Sequence, residues 1–241
     1  MKQVINIVID IETLSLQSDA AIVSIAAVPF NPYGQIPKGD EPVEFGVFDV
    51  YCRDKECGTC IITDQGYFYE VVNTTSCAFY GMNFEMGTVQ WWEKQSEEVK
   101  ADLLNRTPMN IGDAINALHN YLEGIKNAYD ADIKVWAQGS DFDFPILKNA
   151  YRKTMKDTKL PWSYKMQRDA RTYILEKLEK YYGLEEKPYD RIPPMPENMK
   201  WLSHSALSDA RRTAWCLAYV NSLCRNTSVP AISAITPKSS E

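Results

Sequence analysis

The sequence lacks any apolar run that could cross a membrane. Apolar stretches such as Ile7–Ile9 and Ala20–Val28, the second interrupted by Ser24, fall short of the roughly 20 residues that a membrane helix needs. The N-terminal apolar run is broken at Asn6 and ends at Asp10, which is too short for the core of about 7–15 residues in a signal peptide. We therefore expect a cytoplasmic protein that does not span a membrane.

Histidine is scarce, with two residues in 241, and no internal repeat is visible. The 45% hydrophobic and 24% charged content is ordinary for a globular protein and excludes disordered, collagen-like and fibrous classes. At about 150 residues per domain, the length allows one or two domains, and we predict a single domain over residues 1–225. Residues 226–241 are rich in Ser, Thr, Pro and Ala without periodicity, which predicts a disordered tail.

The hydrophobic patterns predict an α/β domain. The β-branched run Val4–Ile9 is typical of a strand that is covered on both faces in the middle of a sheet. A β-hairpin insertion is predicted at about residues 51–80, and a proline-rich loop precedes the last helix. The other predicted strands are Ala21–Phe30, Val43–Tyr51 and Ile133–Ala137, and the predicted helices are Thr88–Lys100, Ile111–Lys126, Phe142–Lys153, Arg168–Tyr181 and Ala206–Leu223.

The net charge of −6 by itself disfavours a polyanionic partner. Its distribution is uneven, however, because residues 148–171 contain eight basic and two acidic side chains. This segment is either a solvated basic surface or a patch that attracts phosphates. Composition leaves both interpretations open.

Two acidic residues follow the first predicted strand. Asp10 and Glu12 are two positions apart, so in an extended chain both side chains point to one side, about 6.5–7 Å apart. Carboxylates so placed can share a cation, and strand ends in α/β sheets are where sites gather. Acidic residues that simply enter a turn would look the same.

Two further motifs place charged groups at helix starts. Asp143 follows the short strand and Gly139, where it could also serve only to complement the helix dipole. His204 precedes Asp209 by five residues, and Asp209 lies on the apolar stripe of the last helix. A carboxylate on such a stripe is costly to bury unless it is paired, protonated or bound to a metal. His119 lies on a plain amphipathic helix, and we expect it to be structural.

The order of these motifs resembles the DEDDh 3′→5′ exonuclease family, whose fold is ribonuclease H-like. The motifs are Asp10-x-Glu12, Phe142-Asp143, and His204 with Asp209. The chain most resembles the phage dexonuclease A and exonuclease VIII branch, and the similar segments extend from about residue 4 to residue 220. They include Ala20–Val28, Thr88–Trp92 and Arg168–Thr172. The resemblance implies an α/β fold with a mixed central sheet flanked by helices.

The resemblance also implies roles for the motif residues. Asp10, Glu12, Asp143 and Asp209 would hold two Mg²⁺ or Mn²⁺ ions, which prefer hard oxygen ligands. His204 would be the general base, since an imidazole pKa near 6.5 suits proton transfer at neutral pH. Thr13 and Leu14 resemble positions that contact the terminal sugar and base. A turn residue at position 13 and a core leucine at position 14 would give the same sequence.

Two features remain open in the sequence. Trp91 and Trp92 could stack on bases, but adjacent helical residues point about 100° apart, so at least one is expected in the core. The cysteines of the hairpin segment could hold structural zinc or, less plausibly, an iron–sulfur cluster, yet free thiols are the default in a reducing cytoplasm. These are Cys52, Cys57, Cys60 and Cys77.

These expectations combine into one hypothesis with rivals. We predict a metal-dependent 3′→5′ exonuclease that acts on the 3′ end of single-stranded DNA. An enzyme that trims RNA 3′ ends with the same chemistry is the nearest rival, because no motif announces a contact to the 2′-hydroxyl. A non-catalytic nucleic-acid-binding module is the rival from another class. The oligomeric state is not apparent from the sequence.

Overall fold

The computed structural model describes residues 3–30, 32, 66–156, 159–195 and 201–225. Within them the chain forms a six-stranded mixed sheet in the order β4-β3-β2-β1-β5-β6, flanked by helices, which confirms the α/β prediction. The strands are β1 (Gln3–Thr13), β2 (Ile22–Phe30), β3 (Phe68–Asn73), β4 (Met109–Asn110), β5 (Ala131–Ala137) and β6 (Gln167–Asp169). The helices are α1 (Thr74–Phe79), α2 (Met86–Glu93), α3 (Glu97–Leu104), α4 (Ile111–Tyr129), α5 (Ser140–Met155), α6 (Ala170–Tyr182) and α7 (Ala206–Arg225).

Strand β1 lies inside the sheet, as its apolar sequence predicts. It pairs antiparallel with β2 and parallel with β5. The odd-numbered isoleucines of β1, such as Ile7 and Ile9, belong to a core cluster with α4 and α5, whereas Val8 belongs to a second cluster with α6 and α7. Because side chains alternate along a strand, Asp10 and Glu12 share the α7 side of the sheet with Val8.

The helix predicted over Thr88–Lys100 is wrong as one element, because the structure has two helices there, α2 and α3. The break has a local cause. Lys94 ends α2, and the Ser96 side chain accepts a hydrogen bond from the Val99 backbone N–H, so Ser96 is the N-cap of α3. A serine in this role satisfies a backbone donor that an uninterrupted helix would not leave free.

The predicted β-hairpin insertion lies mostly outside the described residues, as does the predicted strand Val43–Tyr51. The described part, residues 66–80, is not an insertion, since it contains β3 and α1. Strand β3 pairs with both β2 and β4 and belongs to the central sheet. Its apolar residues Phe68 and Val72 are buried in the core, which explains why this segment joins the sheet.

The remaining helices follow their predicted positions closely. Arg168 lies in β6 rather than in the following helix, because Asp169 caps α6 by accepting a hydrogen bond from the Thr172 N–H. No described helix combines the length and apolarity that a bilayer crossing would require. The tail over residues 226–241 lies outside the described residues, and the single-domain boundary and the cytoplasmic location stay predictions.

Candidate active site

The end of β1 opens into a cavity of about 750 Å³. Five carboxylates line it, namely Asp141 and the four motif residues Asp10, Glu12, Asp143 and Asp209. Of the four motif residues, β1 supplies the first two, the start of α5 supplies the third and the first turn of α7 supplies the fourth. The structure therefore brings together all four acidic residues that the sequence motifs single out.

Asp143 is fixed against β1 at the start of α5. Its side chain is buried, and its Oδ1 accepts a hydrogen bond from the Ile11 backbone N–H at 3.2 Å. This bond joins the strand that carries Asp10 and Glu12 to the helix that carries Asp143. The relative positions of these three carboxylates therefore depend on the backbone of the sheet.

His204 and Asp209 form a second, tightly bonded unit at the start of α7. His204 has a φ of 68°, a left-handed conformation that non-glycine residues rarely adopt and that often marks a functional site. Its backbone N–H donates to Asp209 Oδ2 at 2.8 Å, and Trp201 Nε1 donates to Asp209 Oδ1 at 2.7 Å. The His204 ring and the carboxylates of Glu12 and Asp209 offer ligand atoms within 4.8 Å of one another.

A hydrogen-bonded chain supports the His204 loop from behind. The neighbouring residue Ser205 is buried, and its Oγ donates to Asp102 Oδ2 at 2.8 Å. The Tyr69 hydroxyl of β3 donates to the same oxygen at 2.6 Å. On its other side, the His204 ring meets Trp91 edge to face, with ring centroids 4.7 Å apart. The imidazole is therefore held between α2 and a network that runs to the sheet.

The electrostatics of the cavity favour protons or cations. Burial raises the pKa of Glu12 to about 8, and the charges of Asp209 and Asp143 act in the same direction. Burial, followed by the charges of Asp143, Glu12 and Asp209, raises the pKa of Asp10 well above its ordinary value. Burial raises the pKa of Asp143 to about 7, although the Ile11 N–H and Arg171 oppose the shift. Four carboxylates this close repel one another unless positive charge enters.

Divalent cations fit this set of ligands. Carboxylate oxygens are the hard donors that Mg²⁺ and Mn²⁺ prefer. The grouped ligand atoms belong to Glu12, His204 and Asp209, and none of them is a soft thiolate. Bound ions would also supply the positive charge that the raised pKa values show to be missing. Asp10, Glu12, Asp143 and Asp209 are the residues that would hold them.

A comparison with known families shows which family the chain belongs to. The model of the Rv2179c-like 3′–5′ exoribonuclease domain matches residues 5–221. The chain belongs to this family. The match spans the whole motif set from Asp10 to Asp209 and confirms the resemblance to the DEDD exonucleases of the ribonuclease H-like superfamily. Membership in an exonuclease family supports an enzyme over the non-catalytic binding module.

Two individual proteins are similar to this exonuclease. The exodeoxyribonuclease of Enterobacteria phage T4 is 25% identical over 185 residues, which cover 70% of each chain. The Mg²⁺- and Mn²⁺-bound structure of S. pombe Pop2p aligns with 90% of this chain and 82% of its own, at 14% identity and a TM-score of 0.47. The first similarity agrees with the phage relatives that the motifs suggest, and the second is distant.

The two predicted substrate contacts of the exonuclease do not line the cavity. Thr13 is buried, and its hydroxyl donates to the Ser15 carbonyl at 2.7 Å. Leu14 is half-buried and packs against the main core cluster. A role of these two residues in binding the terminal nucleotide stays a prediction.

The prediction that at least one tryptophan of the pair lies in the core is wrong, since no residue of α2 is buried. Trp92 is half-buried, and its Nε1 donates to the Thr13 carbonyl at 2.9 Å, which ties α2 to the end of β1. Trp91 is exposed and lies against His204. Only Trp91 is available for stacking on a base.

Several residues of the exonuclease site escaped sequence reasoning. Trp201 donates to Asp209 from eight residues earlier in the chain, and Asp102, which is distant in sequence, accepts from Ser205 beside His204. Arg171 lines the cavity, and its charge offsets part of the rise that burial causes in the pKa of Asp143. Asp169 could have paired with Arg171 but instead accepts hydrogen bonds from the Ser140 and Thr172 N–H groups.

The cysteine and spare histidine predictions have different outcomes. Cys77 lies in α1, fully buried, and its thiol contacts the Ile22 carbonyl at 3.7 Å. Cys52, Cys57 and Cys60 lie outside the described residues, so zinc binding by the four stays a hypothesis. His119 lies on α4 with its ring beside Tyr151 at 6.0 Å, away from the acidic cavity, as expected of a structural histidine.

Proposed function

We propose that this exonuclease removes nucleotides from the 3′ end of single-stranded DNA in a metal-dependent reaction. The observation that carries the proposal is the convergence of Asp10, Glu12, Asp143 and Asp209 on one cavity with His204 beside Glu12 and Asp209. We assign the four carboxylates to two Mg²⁺ or Mn²⁺ ions. When bound, such ions activate water and stabilise the charge that develops on the leaving oxygen.

His204 takes the proton of the attacking water in this proposal. Its ring lies beside the carboxylates of Glu12 and Asp209, which the proposal assigns to the metal ions. Contact with Trp91 and the network through Ser205 limit the positions that the ring can take. An imidazole with a restricted orientation is already positioned to accept the proton, and general-base catalysis depends on this positioning.

Exposed apolar side chains provide a surface for the terminal bases. Leu16 is 72% exposed, Met86 69% and Trp91 39%. The segment that carries Leu16 is tied to α2, because the Leu16 N–H donates to Glu85 Oε2 at 2.8 Å. Stacking of a base on the Trp91 ring contributes about 1–3 kcal/mol and tolerates any sequence, and Leu16 and Met86 add apolar contact. We assign this surface to the last bases of the substrate strand.

RNA is the second candidate substrate. The matching family is described as an exoribonuclease domain, whereas the phage T4 relative is named an exodeoxyribonuclease. We propose DNA first because of the similarity to the phage enzyme. RNA is kept as the second candidate because the family match, which covers more of the chain, is to an exoribonuclease domain. The chemistry at the acidic cavity is the same for both.

Digestion of labelled strands tests the proposal. Single-stranded DNA and RNA of one sequence, each labelled at the 5′ end, are incubated with Mg²⁺, Mn²⁺ or a chelator. We expect a descending ladder on DNA with either metal and none with chelator. Shortening in chelator, or intact strands with both metals, would contradict the proposal, and a ladder on RNA alone would replace DNA with the second candidate.

A further inference from the structure

A second cavity, of about 940 Å³, lies along α5. Its lining shares no described residue with that of the acidic cavity. Arg152 lines the second cavity and follows Asp143 by nine residues, so at 100° per residue it points to the opposite side of the helix, about 180° away. The two cavities are therefore separate, although one helix contributes to both.

The second cavity has a basic rim. Five basic residues and one acidic residue, Asp132, are among its lining side chains. Lys126 is already paired with Glu123 at 2.7 Å, which leaves four basic side chains, all exposed, to act on a ligand. These are Lys148, Arg152, Lys156 and Lys159.

The inner wall carries buried polar groups without partners. Tyr151 is 2% exposed, Trp162 5% and Asn149 8%. One polar atom of each side chain has no hydrogen-bond partner among the described residues, namely the Tyr151 hydroxyl, Trp162 Nε1 and Asn149 Nδ2. Buried polar groups in folded proteins are nearly always paired, so three exceptions around one cavity call for an explanation. Indole and amide N–H groups only donate and a hydroxyl can donate, so each atom lacks an acceptor. The atoms themselves are enclosed by protein, so an acceptor on a ligand reaches them after a small shift of these side chains.

The rest of the wall is apolar and aromatic. Trp162, Leu160, Pro161 and Met166 belong to it, and Trp162 also packs against Tyr151 with ring centroids 6.3 Å apart. A ligand that suits the cavity therefore combines a flat apolar part with an anionic, hydrogen-bond-accepting part. A nucleotide has both, in its base and its phosphate.

We propose that the second cavity binds one nucleotide, with its phosphate on the Lys148–Arg152 rim and its base against the Trp162 wall. This site is additional to the acidic cavity and does not depend on the identity of the strand that is hydrolysed there. The nucleotide has two possible sources with the same chemistry. It is either a unit of a bound strand upstream of its 3′ end or a free mononucleotide.

Binding measurements on the full chain test the proposal. The chain carries Asp10→Asn and is kept in chelator, so that strands stay intact and metal at the acidic cavity does not contribute. The probes are a 5′-fluorescein single strand of about 15 nucleotides, as DNA or RNA, and the mononucleotides dAMP and AMP. Because the readout is binding, it remains informative even if the wild-type chain hydrolyses neither polymer.

The decisive variant is Lys148→Glu/Arg152→Glu, and its control is Lys177→Glu/Lys180→Glu. The control makes the same change of charge on α6, and neither lysine lines either cavity. For a strand, we expect the cavity variant to lose at least about tenfold in affinity, and its log–log salt slope to become shallower by about 0.7, the value for one phosphate contact. For a free nucleotide, we expect binding to be lost.

A second variant guards against misfolding. Tyr151→Phe removes one unpartnered buried hydroxyl, so its melting temperature should be unchanged or higher, while nucleotide affinity falls by about two- to tenfold. An effect on the strand alone identifies the strand as the source, and an effect on dAMP or AMP identifies the free nucleotide. If the cavity variants bind every probe as the α6 control does, the proposal is overturned.

Discussion

The two halves of the acidic cavity are built in different ways. Asp10 and Glu12 lie on the most central strand, and Asp143 is bonded to that strand through the Ile11 N–H. His204 and Asp209 instead belong to a loop and helix start with a left-handed residue and side-chain hydrogen bonds. The strand half depends on the register of the sheet, whereas the loop half depends on contacts that single substitutions can remove. The difference teaches that a substitution at His204 can remove the proposed base while the carboxylates of the strand half stay in place, and that Asp209 links the loop half to metal binding.

Loss of the strand half should have the largest effect. Asp10→Asn removes the carboxylate that faces the other three acids, and each metal ion is worth several kcal/mol, where about 1.36 kcal/mol is tenfold in rate. We expect nucleotide release to fall by about 10⁴-fold or more, measured by the labelled-strand assay. The matched control is Asp113→Asn, an exposed acid in the first turn of α4, which should leave the rate unchanged. Undiminished nucleotide release by the Asp10→Asn variant would contradict the assignment of Asp10 to the metal ions.

Loss of the imidazole should be the next largest effect. His204→Ala removes the proposed base and leaves the carboxylates in place, so the rate should fall by at least about a hundredfold while divalent-ion affinity changes little. Metal titration of the variant separates these readouts. If the variant loses metal binding instead, His204 is a ligand, and the two halves of the cavity do not act separately.

The repulsion among the carboxylates predicts an unusual pH dependence of stability. In the metal-free chain Glu12 and Asp143 keep their protons up to about pH 8 and 7, whereas their ordinary values of 4.5 and 3.8 apply after unfolding. The unfolded chain therefore binds fewer protons in this window, and the free energy of unfolding falls as pH rises, by about 5 kcal/mol between pH 5.5 and pH 8. Urea titrations in chelator at pH 5.5 and pH 8 measure it, and Mg²⁺ should restore the loss. Equal stability at both pH values would show that the acids are not crowded.

The smallest expected effect comes from the network behind His204. Asp102→Ala removes the acceptor of both Ser205 and Tyr69, and we expect kcat to fall by about tenfold, equivalent to a net hydrogen bond or two, with little change in KM. The control Tyr69→Phe removes one of the two donors to Asp102 and keeps the Ser205–Asp102 hydrogen bond, so its kcat should fall less. A stability loss without any change in kcat would make Asp102 a purely structural residue.

Local patterns predict the strand half well and the loop half poorly. The β-branched run and its alternation place Asp10 and Glu12 on one side of a central strand, because a strand fixes side-chain direction every two residues. No local pattern predicts that Asp102 accepts from Ser205, since 103 residues separate them, and the Trp201–Asp209 bond spans only eight residues but depends on a loop without periodicity. The N-cap at Ser96 that divides α2 from α3 was available to sequence reasoning but is outweighed there by the apolar residues on either side.

A count of bound Mn²⁺ ions tests the central claim most directly. The account predicts two ions for the wild-type chain, and the loss of both in Asp10→Asn, while Asp113→Asn keeps both. Titration of free Mn²⁺ by electron paramagnetic resonance gives this number without any assumption about substrate. Unchanged Mn²⁺ binding in Asp10→Asn would contradict the claim that these four carboxylates form one metal site.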